Sequence, residues 1–283
     1  MIEDKVNIIL QGKYDEYSDQ IIESYLNIPC VNDIIVSCWE DNKGPVYPKY
    51  FSDRVQFVIN EYPESPGTDN RNLQIYSSLQ GLKKSNTMYS VKMRSDQKYT
   101  YDSMMKMFDF FMMNKDKVSS YQYDQNKPKG RIFVAGIFLN LLFSPRDHIF
   151  WGYTEDLIDL FDIPLEKYGL IDQIKVTKQH LHKYYNHFIR TETYIGAHYC
   201  AKFNDEINNL ILTPDKSLYD GAIYWYHSQD VSIQTITKAF LSFPKDVIDF
   251  EWPSKHFSID EYKGHSCFYD EVLDIFRNMG IDI

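Results

Sequence analysis

Lys92, Arg94 and Asp96 stand at alternate positions of the stretch Met88-Tyr89-Ser90-Val91-Lys92-Met93-Arg94-Ser95-Asp96, an apolar run that ends abruptly in charge. A strand turns successive side chains to opposite faces, so these three share one face and Val91, Met93 and Ser95 share the other. Two cations and a carboxylate on one face of a central strand are costly to bury unpaired. A cleft at the strand's C-terminal end, where open α/β sheets bind ligands, removes that cost. Lys92 and Arg94 would meet a diphosphate there and Asp96 a divalent cation. The competing reading is a surface ion-pair cluster on an edge strand, and the stretch alone does not choose between them.

Other chemistry-bearing groups are scattered. Asp147 lies in the charged group Arg146-Asp147-His148, just ahead of an apolar run. It is a candidate carboxylate, with a partner for Arg146 or for a backbone amide as the alternative. Glu192 opens a helix-like stretch, where an acid also serves simply as a dipole-stabilising residue. His180, His182 and His187 invite a metal reading, but none sits in an HExxH motif, and solvated or packed histidines explain them as well. Cys30, Cys38, Cys200 and Cys267 form no CxxC pair, so zinc spacing is absent and free thiols in a reducing, cytosolic context are expected. No GxGxxG follows the first strand, no GxxxxGK[ST] occurs and there is no GxSxG, which argues against dinucleotide, P-loop and nucleophile-elbow enzymes.

The 283 residues carry a formal net charge of −10 without a basic run, so binding to nucleic acid is not expected. Aromatics reach 16%, which suits sugar- or base-stacking surfaces but is explained for most tyrosines by a compositional bias. Met1-Ile2-Glu3-Asp4-Lys5 leads directly into a short strand, so no signal peptide is expected, and no apolar run approaches the length of a membrane span.

The elements that must position these groups alternate. Strands are expected over 6–10, 33–37, 55–59 and the stretch ending at Asp96. Helices are expected over 19–26, 72–82 and 103–113, the last with methionines as adaptable core packing. A polar loop covers 61–70 and another 118–130. Residues 131–143 hold one or two strands, a strand follows His148, and Thr154 caps a helix ending before Pro164. Further strands are expected over 219–227 and 247–252, and a helix over 269–279. Strand–helix alternation with short connections implies an α/β fold with a mostly parallel sheet. With no repeat and no clear linker, 1–283 reads as one domain, a first half of 1–115 and an elaborated C-terminal half of 116–283.

Five segments line up in order: Asn7-Ile8-Ile9-Leu10-Gln11-Gly12, Asp33-Ile34-Ile35-Val36-Ser37-Cys38-Trp39, the helix segment 70–82, Tyr89 to Asp96, and Asp147-His148-Ile149-Phe150-Trp151-Gly152. Together they resemble the WavE-type family of lipopolysaccharide-synthesis glycosyltransferases, which are similar to GT-A nucleotide-sugar enzymes. The resemblance is clearest over 6–161. It implies a Rossmann-like, mostly parallel sheet flanked by helices, and transfer of a sugar from a nucleoside-diphosphate sugar to a hydroxyl of a glycan or glycolipid. The glycan would be lipopolysaccharide, capsule or a viral surface glycan, and peripheral contact with a membrane is left open. By the same resemblance Gln11 and Gly12 lie against the nucleotide, Ser37 and Trp39 flank its base or ribose, and Asn72 and Gln74 face the donor. Lys92 and Arg94 meet the diphosphate. Asp96 ends the counterpart of a DxD motif whose first Asp is replaced by Arg94, which leaves Mn²⁺ or Mg²⁺ at Asp96 an open question. Glu192-Thr193-Tyr194-Ile195-Gly196 is similar to the acidic helix start that carries the base of inverting GT-A enzymes, with Asp147 as second candidate. A catalytically inactive nucleotide- or glycan-binding relative, and a structural protein with an aromatic surface, are the alternatives.

Overall fold

The computed structural model describes residues 4–40, 53–116, 129–138, 141–166, 190–207, 231–236, 238–253, 268–271 and 274. The first half supplies β1 (Val6–Gln11), α1 (Glu16–Leu26), β2 (Val31–Trp39), β3 (Val55–Asn60), α2 (Arg71–Leu82), β4 (Tyr89–Arg94), β5 (Lys98–Tyr99) and α3 (Tyr101–Asn114). The second supplies β6 (Ile132–Val134), β7 (Ile137–Phe138), β8 (Ser144–Pro145), β9 (Ile149–Tyr153), α4 (Thr154–Phe161), α5 (Thr191–Ala201), β10 (Phe240–Ser242) and β11 (Phe250–Glu251).

Seven strands form one sheet in the order β10–β6–β9–β4–β1–β2–β3. Its pairs are parallel except those made by β9, which runs against both β4 and β6. The expected mostly parallel α/β sheet is therefore present, with strands from both halves of the chain in it. Central parallel strands are covered on both faces, and β1 is buried at every position. Ile8, Leu10, Val36, Val91 and Met93 join the cluster beneath α1 and α3. Ile9, Ile35 and Phe150 join the opposite cluster, with Ile75 of α2, Leu157 of α4 and Ile195 of α5.

Local chemistry sets the helix starts. Asp15 accepts from the Tyr17 and Ser18 amides while the Ser18 hydroxyl accepts from the Asp15 amide, so α1 begins three residues before the expected Asp19. Thr100 caps α3 through the Ser103 amide. Thr154 does not cap α4 as expected. It is the first helical residue, and its hydroxyl donates to the Thr87 carbonyl at 2.7 Å and pairs with Ser90, tying the end of β9 to the start of β4. The strand expected over 247–252 shortens to β11 because Pro244 starts a turn of 3-10 helix at Lys245–Val247.

Cys30, Cys38 and Cys200 are free, buried thiols, the first two pushed up to about 12 and about 11 chiefly by burial. No helix among the described residues is long and apolar enough to cross a membrane. The expectations for 219–227, most of 118–130, most of 269–279, Cys267 and the histidines at 180, 182 and 187 lie outside the described residues.

Candidate active site

The sheet order places three strand ends side by side. Gln11, the last residue of β1, is in register with Ser37 of β2 on one side and Arg94 of β4 on the other. Backbone bonds lock the turn beyond them: Gly12 N–H donates to the Ser37 carbonyl at 3.2 Å, and Ser95 N–H to the Gln11 carbonyl at 3.0 Å. Gly12 adopts φ +137°, and a Cβ there would stand 2.6 Å from the Ser95 hydroxyl, so both backbone angle and space demand glycine.

The antiparallel course of β9 completes this end. Its first residue, Ile149, pairs with Met93 near the end of β4, so Asp147 and His148 arrive beside Arg94. Lys92 is fully buried; its Nζ donates to the Asp147 carbonyl at 3.1 Å and lies 5.4 and 5.6 Å from the Phe150 and Phe161 ring centres. Burial drives its pKa down to about 7, against the pull of Asp147. Lys92 is thus the floor under the Asp147 segment.

Arg94 forms a fork with Asp96, Nε to Oδ1 at 2.9 Å and Nη2 to Oδ2 at 2.8 Å, with Nη1 3.9 Å from Asp147 Oδ2. Trp252, just beyond β11, donates its indole N–H to Asp96 Oδ2 at 3.1 Å and lays its ring 5.3 Å from the guanidinium. Burial opposes ionisation of Asp96, but these donors hold its pKa below the ordinary value. Asp147 is likewise held low against burial by its cationic surroundings. His148 has a pKa of about 3, lowered chiefly by burial, so it is neutral at ordinary pH and Arg94 supplies the lasting positive charge. The buried Gln74 amide turns toward Asp147, yet its Nε2 has no acceptor within hydrogen-bond distance.

Glu192 comes from the first turn of α5. This helix packs so closely on the segment leading into β8 that a Cβ at Gly196 would fall 1.9 Å from the Phe143 carbonyl oxygen. Burial first, and then the charge of Asp147, push the Glu192 carboxyl up to about 7, while Arg190 and Arg146 pull the other way. One carboxyl near neutrality beside one held ionised is an arrangement able to divide proton transfer and charge stabilisation.

Of the residues singled out in the sequence, Arg94, Asp96 and Asp147 come together at this end of the sheet over Lys92, next to the strand end at Gln11 and Gly12, while Gln74 and Glu192 are close enough to Asp147 to bear on its charge. Trp39, at the end of β2, stacks on Tyr62 at 4.9 Å and faces Tyr76 at 6.2 Å. Ser37 and Asn72 are engaged elsewhere. The Ser37 hydroxyl donates to the Ser77 carbonyl at 2.6 Å and accepts from Asn60. Asn72 ties the Ser65 carbonyl to the backbone of Glu166. Sequence reasoning missed Trp252, His148 and the buried Arg71–Glu166 pair at 3.2 Å. The pair holds the loop before α2, because Glu166 also accepts from the Thr68 amide and hydroxyl. Arg71 lies 4.8 Å from the Tyr194 ring of α5.

The residues around Asp96 do not fit a divalent cation as they stand. Both carboxylate oxygens are occupied by guanidinium and indole N–H groups. No group of three or more His, Cys, Asp or Glu side chains is arranged for a metal among the described residues.

Among solved structures, the 4-diphosphocytidyl-2C-methyl-D-erythritol synthase of Anaerococcus prevotii matches with 6% identity over 61% of this chain and 83% of its own, at a TM-score of 0.36. A cytidylyltransferase of Leptospira borgpetersenii matches with 14% identity over 64% and 74%, also at 0.36. TarS of S. aureus matches with 14% identity over 84% of this chain and 50% of its own, at 0.35. No curated protein matches the chain in sequence. The family model for WavE lipopolysaccharide synthesis matches residues 22–226, a span that carries β2, β4, Asp147 and Glu192. The chain belongs to the WavE lipopolysaccharide synthesis family.

Proposed function

We propose that this protein transfers a sugar from a nucleoside-diphosphate sugar to a hydroxyl of a surface glycan or glycolipid, with inversion at the anomeric carbon. The observation that carries the reading is Arg94 standing 3.9 Å from Asp147 Oδ2 beyond the ends of β1 and β4, with Glu192 near enough for the Asp147 charge to raise its pKa. Family membership supports the same class of product.

In this reading the donor lies across Gln11 and Gly12, where the glycine lets a ligand approach the backbone, and its base lies toward the Trp39 stack. Arg94 faces the diphosphate. The acceptor hydroxyl approaches Glu192, which takes its proton as the oxygen bonds to the anomeric carbon. The bond from that carbon to the diphosphate oxygen breaks, and the departing oxygen carries the electron pair toward Arg94. Glu192 suits the base because its pKa of about 7 combines an ionised fraction at neutral pH with useful basicity. Asp147, held ionised and aimed at Arg94, is the weaker base.

The test is a screen of nucleotide sugars for release of the nucleoside diphosphate, with Glu192→Gln alongside. Release from one donor by the wild type, lost in the variant, supports the proposal. Nucleotide binding without release from any donor or to any glycan points to the inactive relative, and neither binding nor release refutes both.

A further inference from the structure

We infer that Arg94, clamped between Asp96 and Trp252, supplies the cationic partner of the diphosphate by itself, so that this pocket binds a nucleoside diphosphate without a divalent cation. The inference rests on the nucleotide-sugar reading and adds to it the ionic requirement of the pocket and a residue, Trp252, that lies outside the family match of 22–226.

Three observations converge on it. First, both Asp96 oxygens are engaged in the clamp: Oδ1 on Arg94 Nε, and Oδ2 on Arg94 Nη2 and Trp252 Nε1. A divalent cation at Asp96 would have to break a bidentate charge-assisted pair and leave a guanidinium facing the new ion. Second, the clamp leaves a usable edge. A guanidinium has five N–H donors in a rigid fork. Asp96 takes one from Nε and one from Nη2, and Nη1 makes no hydrogen bond among the described residues, with Asp147 Oδ2 3.9 Å away. The Nη1–Nη2 edge, which Asp147 approaches without hydrogen-bonding, keeps donors for two phosphate oxygens, which a single ammonium could not match. Third, the guanidinium is fixed in plane and in position. Asp96 sets its rotation, and the Trp252 ring covers it at 5.3 Å. His148 meets the Trp252 ring edge-on at 5.0 Å, and β11 pairs with β5 just beyond Asp96, so the indole is itself held. A guanidinium ordered in advance loses little freedom on binding a ligand.

Asp96 and Trp252 are therefore positioning residues, acting through Arg94. Titration calorimetry with UDP, GDP and CDP, each in EDTA and again in Mn²⁺, tests this. The full-length wild type should bind one of the three with affinities in the two media that agree within about twofold. Arg94→Gln should weaken that binding by about tenfold or more, the usual scale for losing paired charge-assisted hydrogen bonds. Asp96→Asn and Trp252→Phe should weaken the diphosphate while leaving the matching free nucleoside unchanged, a selectivity that general loss of structure would not produce. Binding in Mn²⁺ that disappears in EDTA overturns the inference and leaves the transferase reading standing. Equal loss of nucleoside and diphosphate in both positioning variants overturns the clamp. Failure of all three diphosphates in both media overturns the transferase reading along with it.

Discussion

If Glu192 is the base, the rate of transfer must follow its ionisation. The carboxyl sits at about 7, raised first by burial and then by the charge of Asp147. With that value it is ionised to about 9% at pH 6 and about 91% at pH 8, so kcat/KM should rise about tenfold between them. A glutamate at the ordinary 4.5 would be about 97% ionised at pH 6 and would give a flat profile over the same range. The sign is fixed by the role: a base works deprotonated, so activity is present above pH 7 and lost as pH falls through it. Two variants separate the causes. Glu192→Gln should cost about 10²–10⁴-fold in kcat, the usual range for removing a general base, with nucleotide affinity little changed. Asp147→Asn removes the neighbouring negative charge and should move the remaining acidic limb to lower pH. The assay is initial-rate transfer across pH 5.5–9 at constant ionic strength. A wild-type profile flat from pH 6 to 8 would refute the assignment. So would an inactive Asp147→Asn beside a near-native Glu192→Gln, which would make Asp147 the base.

Three further outcomes follow from the packing. Glu166→Ala removes the carboxylate paired with the buried Arg71 and should cost about 3–5 kcal/mol in urea unfolding; a change under 1 kcal/mol would show that the pair is not a structural tie. Gly196→Ala puts a methyl group where the Phe143 carbonyl stands 1.9 Å away, so α5 must shift; a lower melting temperature is expected together with a fall in kcat, because Glu192 rides on the same helix. Acid should destabilise the fold through His148, whose folded-state pKa of about 3 lies below its ordinary 6.5 owing first to burial. The unfolded chain takes up a proton below pH 6.5 that the folded chain refuses, so stability drops as pH falls from 6.5 toward 3. His148→Phe should flatten that part of the stability–pH curve.

The sequence was most readable where the structural signal is local. Buried strands that stop at a glycine or a charge marked the ends of β1 and β4, because polar residues stay in the core only where they find partners, as Lys92 does in the Asp147 carbonyl. The start of α5 was readable because Thr191 and Glu192 stand at the head of the Thr191-Glu192-Thr193-Tyr194-Ile195-Gly196 run. Ser37 and Asn72 also sit at element ends, but position alone does not say whether a polar group faces ligand or protein. Gly81 decides the matter for Ser37: a Cβ there would be 2.9 Å from the Ser37 Cβ, so α2 lies directly over β2 and takes the hydroxyl into a helix carbonyl. Trp252 was out of reach of any local pattern, since its partners Arg94 and Asp96 lie more than 150 residues earlier. Glu166 hides for the same reason, an ordinary acid in the sequence whose partners are Arg71 and Thr68.

The direction of β9 was equally hidden, and it has the largest consequence for the chemistry. Alternating strands and helices predict a mostly parallel sheet but do not say which strand is reversed. A parallel strand beside β4 would start at the opposite end of the sheet and bring to the end at Gln11 and Arg94 only the loop that follows it. Because β9 runs against β4, its entry lies at that end, with Ile149 beside Met93. Asp147 and His148 are then delivered by the two residues before the strand, with no long loop to order. Lys92 makes this placement stable by donating to the Asp147 carbonyl from inside the sheet, so the backbone is held while the carboxylate is left to Arg94, Gln74 and Glu192. The Phe150 and Phe161 rings beside that ammonium stand in for part of the water it has lost. Lys92, first read as a diphosphate ligand, is by this geometry the support that lets a reversed strand carry a carboxylate to Arg94.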